Sequence, residues 1–295
     1  IKVADPGLFA IDVMGDSKVK IPLYDATKKK VLIKDLNGDG NGDEYSAVVK
    51  AGDEFYVKLP TKINKIIILT GVMKTEFGSM ANDKSYYEVG KGTTTYHPFS
   101  ISKRSRVYLE IAPVGKKVEK VGAYVEKNVN GTWQRVGYSA NIKPAEYGTA
   151  LGYGLQPGKY RMVLKNPKDN IINIEYKRKT TNKNVAYKKS KAKKIKLDGQ
   201  TSNIYTTGEK TSRWYKISIT STKKKRILNL GKNTVSGGYK FTIYKKGKKK
   251  AIKTIKVTEN ANAKIAKMPK KKGTYYIRIS KLTKKTNGTY EIGYY

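Results

Sequence analysis

Apolar residues alternate with polar ones in short runs through most of the 295 residues. AGDEFYVKL (51–59), PGKYRMVL (157–164) and KGTYYIRI (272–279) each place a glycine before a strand of period two. The inward sets read Phe55, Val57, Leu59; Tyr160, Met162, Leu164; and Tyr275, Ile277, Ile279. Alternation of this kind marks a strand with one buried face. Other strands precede and follow each of these. HPFSIS and RWYKISI open the second and third sets, RVYLEI and RILNL come next, and strand–turn–strand segments GAYVEKNVNGTWQRV and YKFTIYKKGKKKAI lie between. KIPLYDATKKKVLI (20–33) takes the hairpin's place in the first set, and IIIL (66–69), INIEY (172–176) and YEIGY (290–294) close the three. The first set is short at its front, with only GLFAIDV before KVKIPLY.

No segment carries sustained helical periodicity, and NG, GG and PG turns separate the strands. The expectation is an all-β chain of three tandem antiparallel β-sandwich (jelly-roll-like) domains at 1–75, 95–178 and 198–295. Residues 76–94 and 179–197 read as linkers, the second held extended by its lysines. No apolar run approaches the length of a membrane span, and IKVADPG does not open like a signal peptide.

The F-x-I and W-Y-x-I strands, the middle hairpin and the closing P-x-G-x-Y strand resemble the bacterial pre-peptidase C-terminal domain family. The pieces that carry this are HPFSIS with LQPGKYRMVL, and RWYKISI with KKGTYYIRI. The resemblance covers residues 95–178 and 198–295, and part of 1–75. The lysine-dense second linker resembles secreted proteins of clostridia. The resemblance implies a non-catalytic accessory sandwich on a secreted or cell-surface protein of a Gram-positive bacterium, one that binds protein or polysaccharide.

Charge adds a direction. The chain has 62 Lys and Arg against 23 Asp and Glu, a net charge of +39. Residues 1–75 are nearly balanced, whereas residues 179–295 hold 33 Lys and Arg against four acids. Such a field attracts polyanions. Lysine dominates over arginine, which suits diffuse partners over bidentate base reading. The expected partner is an anionic cell-wall or surface polymer such as teichoic acid, anionic headgroups or an acidic glycan, with no specific nucleic acid. The expected role is adhesion or binding. The alternative is a carbohydrate-binding protein using exposed aromatics. Trp133, near Tyr124 and Tyr138, reads as a core ring, with sugar stacking as its other reading. Trp214 reads as core.

Catalytic chemistry has little to draw on. There is no cysteine, and His97 is the lone histidine, expected at a surface or edge position. No G-x-S-x-G elbow accompanies it. The chain is therefore read as not an enzyme.

One stretch runs against the charge balance. DLNGDGNGDE (35–44) spaces Asp35, Asn37, Asp39, Asn41 and Asp43 around Gly40. The spacing resembles calcium loops, which gather hard oxygens from alternate positions, although Ser46 stands where an EF-hand has glutamate. Two readings stay open. The loop holds a structural Ca2+ ion, or its two Asn-Gly pairs make a hairpin tip.

Overall fold

A computed structural model describes residues 1–15, 20–37, 45–61, 66–114, 119–142, 149–181, 185–258 and 262–295. Among those residues the chain is all-β, apart from a single 3-10 turn at Lys189–Lys191, and no helix is long and apolar enough to cross a membrane.

The first sandwich is built from β1 (Gly7–Gly15), β2 (Leu23–Tyr24), β3 (Val31–Ile33), β4 (Tyr45–Val49), β5 (Tyr56–Val57) and β6 (Ile66–Met73). The second holds β7 (Lys84–Val89), β8 (Thr94–Ile101), β9 (Ser105–Val114), β10 (Val121–Val129), β11 (Thr132–Ile142), β12 (Thr149–Leu155), β13 (Gly158–Lys165) and β14 (Ile171–Thr180). The third holds β15 (Lys193–Lys194), β16 (Gly199–Tyr205), β17 (Arg213–Ile219), β18 (Ile227–Ser236), β19 (Tyr239–Lys245), β20 (Lys253–Val257), β21 (Ala263–Lys267), β22 (Gly273–Lys281) and β23 (Asn287–Tyr294).

The three sandwiches share one wiring scheme. In the second, the sheets run β11-β10-β13-β8 and β12-β9-β14-β7. In the third, β20-β19-β22-β17 and β21-β18-β23-β16 repeat that order strand for strand, with β15 added in parallel beside β17. In the first, β3-β2-β5 and β4-β1-β6 follow the same order from the third strand onward, with residues 1–3 lying against 53–55 beside β5.

Two stretches expected as linkers are built into the sandwiches. β7 lies within 76–94, yet it pairs along β14 and packs Tyr86 against the second core. The segment before β16 docks on β17 as well: Trp214 N–H donates to Ala186 C=O at 2.8 Å, and Ala186, Ala192 and Ile195 are buried. Burying these apolar side chains outweighs the mutual repulsion of the lysines between them.

The third core explains the tyrosine content. Tyr205, Tyr215, Tyr239 and Tyr290 are packed ring against ring inside it. Each phenol finds a partner: Tyr215 and Tyr290 share a 2.8 Å hydrogen bond, Tyr205 donates to Ile279 C=O at 2.9 Å, and Tyr239 donates to Gly288 C=O at 2.8 Å. Such a partner offsets the cost of taking a hydroxyl out of water. The inward sets Tyr160, Met162, Leu164 and Tyr275, Ile277, Ile279 are all buried, as the alternation requires. The first set differs: Phe55 is buried, but Leu59 is 47% exposed, past the end of the two-residue β5.

The second and third sandwiches meet at a close, polar junction. Arg104, buried, donates to Asn203 Oδ1 at 2.9 Å and to Thr181 Oγ1 at 3.2 Å, and pairs with Glu209 at 3.3 Å. Glycines let the backbones approach. A Cβ on Gly152 would fall 2.1 Å from Asn233 Oδ1, and one on Gly154 would fall 2.5 Å from Tyr205 C=O.

Candidate anion-binding surface

Period two also decides what the third sandwich shows to solvent. Tyr215, Ile217 and Ile219 of β17 point inward, so Trp214 and Lys216 point outward. The same logic turns Tyr276 and Arg278 of β22 outward, and Tyr244 of β19 with them. The register then aligns them in rows. Lys216 lies beside Tyr276, and Tyr276 beside Tyr244; Trp214 lies beside Arg278.

The result is an aromatic platform edged by cations. Trp214 and Tyr244 have ring centres 5.7 Å apart. Lys189, delivered by the docked segment, places its Nζ 5.1 Å from the centres of both Tyr244 and Tyr276. The Arg278 guanidinium lies 5.9 Å from the Trp214 ring, and its Nε donates to Ser212 Oγ at 2.8 Å. No carboxylate stands on these two rows. The cations are held against ring faces and remain available to an outside anion.

The matching face of the second sandwich is wired differently. Arg161 sits between Tyr96 at 4.2 Å and Trp133 at 4.3 Å. Glu126 takes up its charge, at 2.8 Å from Nε and 2.7 Å from the terminal nitrogen. Arg135 covers Tyr124 at 4.0 Å. A guanidinium satisfied by both rings and a carboxylate braces the sheet and has little left to offer a ligand.

Both tryptophans therefore depart from the expected core placement. Trp133 and Trp214 are half-buried on outer sheet faces, and each contacts an arginine. A one-residue change of register reverses every side chain of a strand, and Ile217 holds the position that Phe99 holds in the second sandwich. Tyr138 is exposed and pairs with Lys285 at 5.4 Å, away from Trp133's Arg161.

His97 lies on the edge strand β8, one of its two expected positions, but its side chain is not at the surface. It is buried, stacked on Phe77 at 4.1 Å, with Nε2 2.5 Å from Glu88 Oε2. Glu88 also accepts from Thr95 Oγ1 at 3.0 Å. Glu88 lies on β7, in the stretch expected as linker, so sequence spacing gave no sign of the pair.

A second concavity, of about 510 Å³, opens on the outer face of the sheet containing β16, β23 and β18. Gln200, Asn229, Glu291 and Tyr295 line it, and Arg106 reaches in from the second sandwich. Gly231 and Gly293 keep its floor flat. Arg106 and Glu291 stand 4.0 Å apart, at the limit of an ion pair.

Of the calcium candidates, Asp39, Asn41 and Asp43 lie outside the described residues. Asp35 and Asn37 are described. Asp35 Oδ1 accepts from the backbone N–H groups of Ile21 and Asn37, each at 3.0 Å, and Asn37 is buried. The bond to Asn37 is an Asx turn, so one oxygen of the Asp35 carboxylate already serves the loop's own backbone.

No protein-family model matches the chain, and no curated protein matches it. Among solved structures, it is similar to the pre-peptidase C-terminal domain of collagenase from Bacillus anthracis, at 18% identity over 39% of this chain and 100% of that one, with a TM-score of 0.31. It is similar to the PBSX exported protein XepA at 10% identity, over 72% and 81% of the two chains, with a TM-score of 0.21. It is also similar to the M60 catalytic domain with CBM51-1 and CBM51-2 from Clostridium perfringens ZmpB, at 8% identity over 96% of this chain and 42% of that one, with a TM-score of 0.24. At these scores the likenesses carry no argument about what this chain binds.

Proposed function

We propose that the chain is a non-catalytic binding protein of the bacterial exterior, whose third sandwich holds anionic polymer. The observation that carries this is the Trp214, Tyr244 and Tyr276 platform with Lys189, Lys216 and Arg278 around it and no carboxylate on its rows. Rings supply flat contact area, and lysines supply mobile charge that follows irregularly spaced anions. Wall or surface polymers of phosphodiester or acidic sugar units meet both demands. Nucleic acid would bind the same field without sequence preference. Calorimetric titration with polyglycerol phosphate tests the reading. Binding that weakens steeply with salt and depends on Tyr244 supports it; salt-insensitive binding, or none, overturns it.

The 510 Å³ concavity favours a second reading, a glycan held by hydrogen bonds. Gln200, Asn229, Arg106 and Glu291 offer donors and an acceptor to hydroxyls, beside the Tyr295 ring. A glycan array separates the two, because binding of a neutral sugar that persists in high salt belongs to the concavity.

The first sandwich is proposed to carry one structural Ca2+ at Asp35, Asn37, Asp39, Asn41 and Asp43. The support is the hard-oxygen spacing, and the ion would pin the loop by offsetting repulsion among its carboxylates.

A further inference from the structure

The 510 Å³ concavity continues into the junction between the second and third sandwiches. It shares Arg106 and Ser202 with a smaller cavity of about 170 Å³, which Lys179, Thr181 and Thr289 help to line. The two make one cleft with a wall from each sandwich.

Cross-strand register lays out its larger part. Tyr290, Ile292 and Tyr294 point into the core, so Glu291, Gly293 and Tyr295 lie on the outer face. Two rows cross four strands there: Gln200, Gly293, Asn229 and Ile265, then Ser202, Glu291, Gly231 and Ala263. The glycines leave a trough between amide and hydroxyl side chains. Tyr295 folds back over Gly293, where a Cβ would fall 2.6 Å from its ring, and it remains 40% exposed.

Two groups in the cleft are unengaged. Arg104, Arg161, Arg213 and Arg278 all donate hydrogen bonds within the chain. Arg106 lies 4.8 Å from the Tyr108 ring and 4.0 Å from Glu291, and donates no hydrogen bond among the described residues. Thr289 is 1% exposed on the wall of the smaller cavity, and its Oγ1 has no hydrogen-bond partner among the described residues. Buried polar atoms are nearly always paired, so an unpaired hydroxyl on a cavity wall marks a place for a ligand's polar group.

On the reading that the concavity holds a glycan, we infer that the glycan is acidic and that one sugar carboxylate sits on Arg106. A planar guanidinium fork matches a carboxylate, and its charged bonds, at about 2.7–2.9 Å, are shorter than the Glu291 contact they displace. Glu291 is more than half exposed and turns to accept a sugar hydroxyl instead. Lys179, opposite Arg106 across β9 and β14, adds a second positive charge. Thr289 bonds a hydroxyl of the same sugar unit, and a neighbouring unit in the larger part lies against Tyr295. The aromatic platform stands on the other sheet of the third sandwich, so the two sites are separate.

The test probes the full chain with acidic oligosaccharides, each paired with its neutral carboxyl-reduced counterpart, at about 0.5 M salt to screen exposed lysines. The wild type is expected to bind the acidic member of at least one pair about tenfold more tightly than the reduced member. Arg106→Gln is expected to remove that preference and keep the weaker neutral binding. Thr289→Val is expected to weaken the acidic member a fewfold with a thermal midpoint unchanged or raised, since the lost hydroxyl has no partner within the chain. Equal binding of both members, unmoved by Arg106→Gln, leaves the glycan reading standing and overturns the acidic one. An acidic preference that survives Arg106→Gln, or acidic binding untouched by Thr289→Val, also overturns it. Binding of neither member of any pair overturns the glycan reading itself, and this inference with it.

Discussion

Asn287 uses both ends of its side-chain amide on the backbone of Gly154, in the neighbouring sandwich. Its Oδ1 accepts from Gly154 N–H at 2.8 Å, and its Nδ2 donates to Gly154 C=O at 2.9 Å. The amide thus replaces a missing ladder partner on the edge strand β12. With Arg104 and the glycine contacts, it makes the second and third sandwiches one unit.

Asn287→Ala therefore leaves two buried backbone groups unpaired. The expected cost is about 2–6 kcal/mol, from about 1–3 for each unsatisfied group. Differential scanning calorimetry should show one transition for the two sandwiches in the wild type, split into two in the variant.

Alkaline pH should unfold the protein through its tyrosines. Burial pushes the phenols of Tyr160 and Tyr176 up to about 12, against about 10 in an unfolded chain. A raised phenol pKa means the fold favours the neutral form. That stabilisation is fully present below about pH 10 and is lost as pH rises towards 12. Thermal midpoints followed by circular dichroism should hold level to about pH 9 and then fall.

The loop at 35–44 should take up one Ca2+ ion when chelator-treated protein is titrated calorimetrically. Asp39→Ala should abolish that heat. An identical, featureless trace for both proteins would assign DLNGDGNGDE to Asx and hairpin chemistry alone.

The aromatic platform makes its own demand. Tyr276→Ala removes one ring from beneath Lys189 and is expected to weaken polyanion binding about fivefold, from about 1 kcal/mol for a partly exposed cation–ring contact. Trp133→Ala, in the neutralised cluster, should leave that affinity unchanged.

Much of the fold could be read along the chain because the buried strands repeat both pattern and order. TYYIRI and KYRMVL alternate cleanly, and both inward sets are buried. The short front of the first set corresponds to a strand order that begins at the counterpart of β9. What escaped the sequence were the edge strands. KSYYEV buries only part of one face, so its polar residues read as linker, and GQTSNIY, within the third domain's bounds, gave no alternation that marked it as a strand. Trp214 was misplaced because hydrophobicity alone does not fix which face a residue takes. The platform itself is a product of register between β17, β22 and β19, and nothing local to any one of them announces it.

The most direct test of the account is titration of polyglycerol phosphate into wild-type protein and a Lys189→Ala, Tyr244→Ala double variant at two salt concentrations. The account predicts wild-type binding that falls steeply with salt and a variant weakened at least about tenfold at the lower salt. Equal affinity for both proteins would show that net charge alone attracts the polymer, and would contradict the platform as its site.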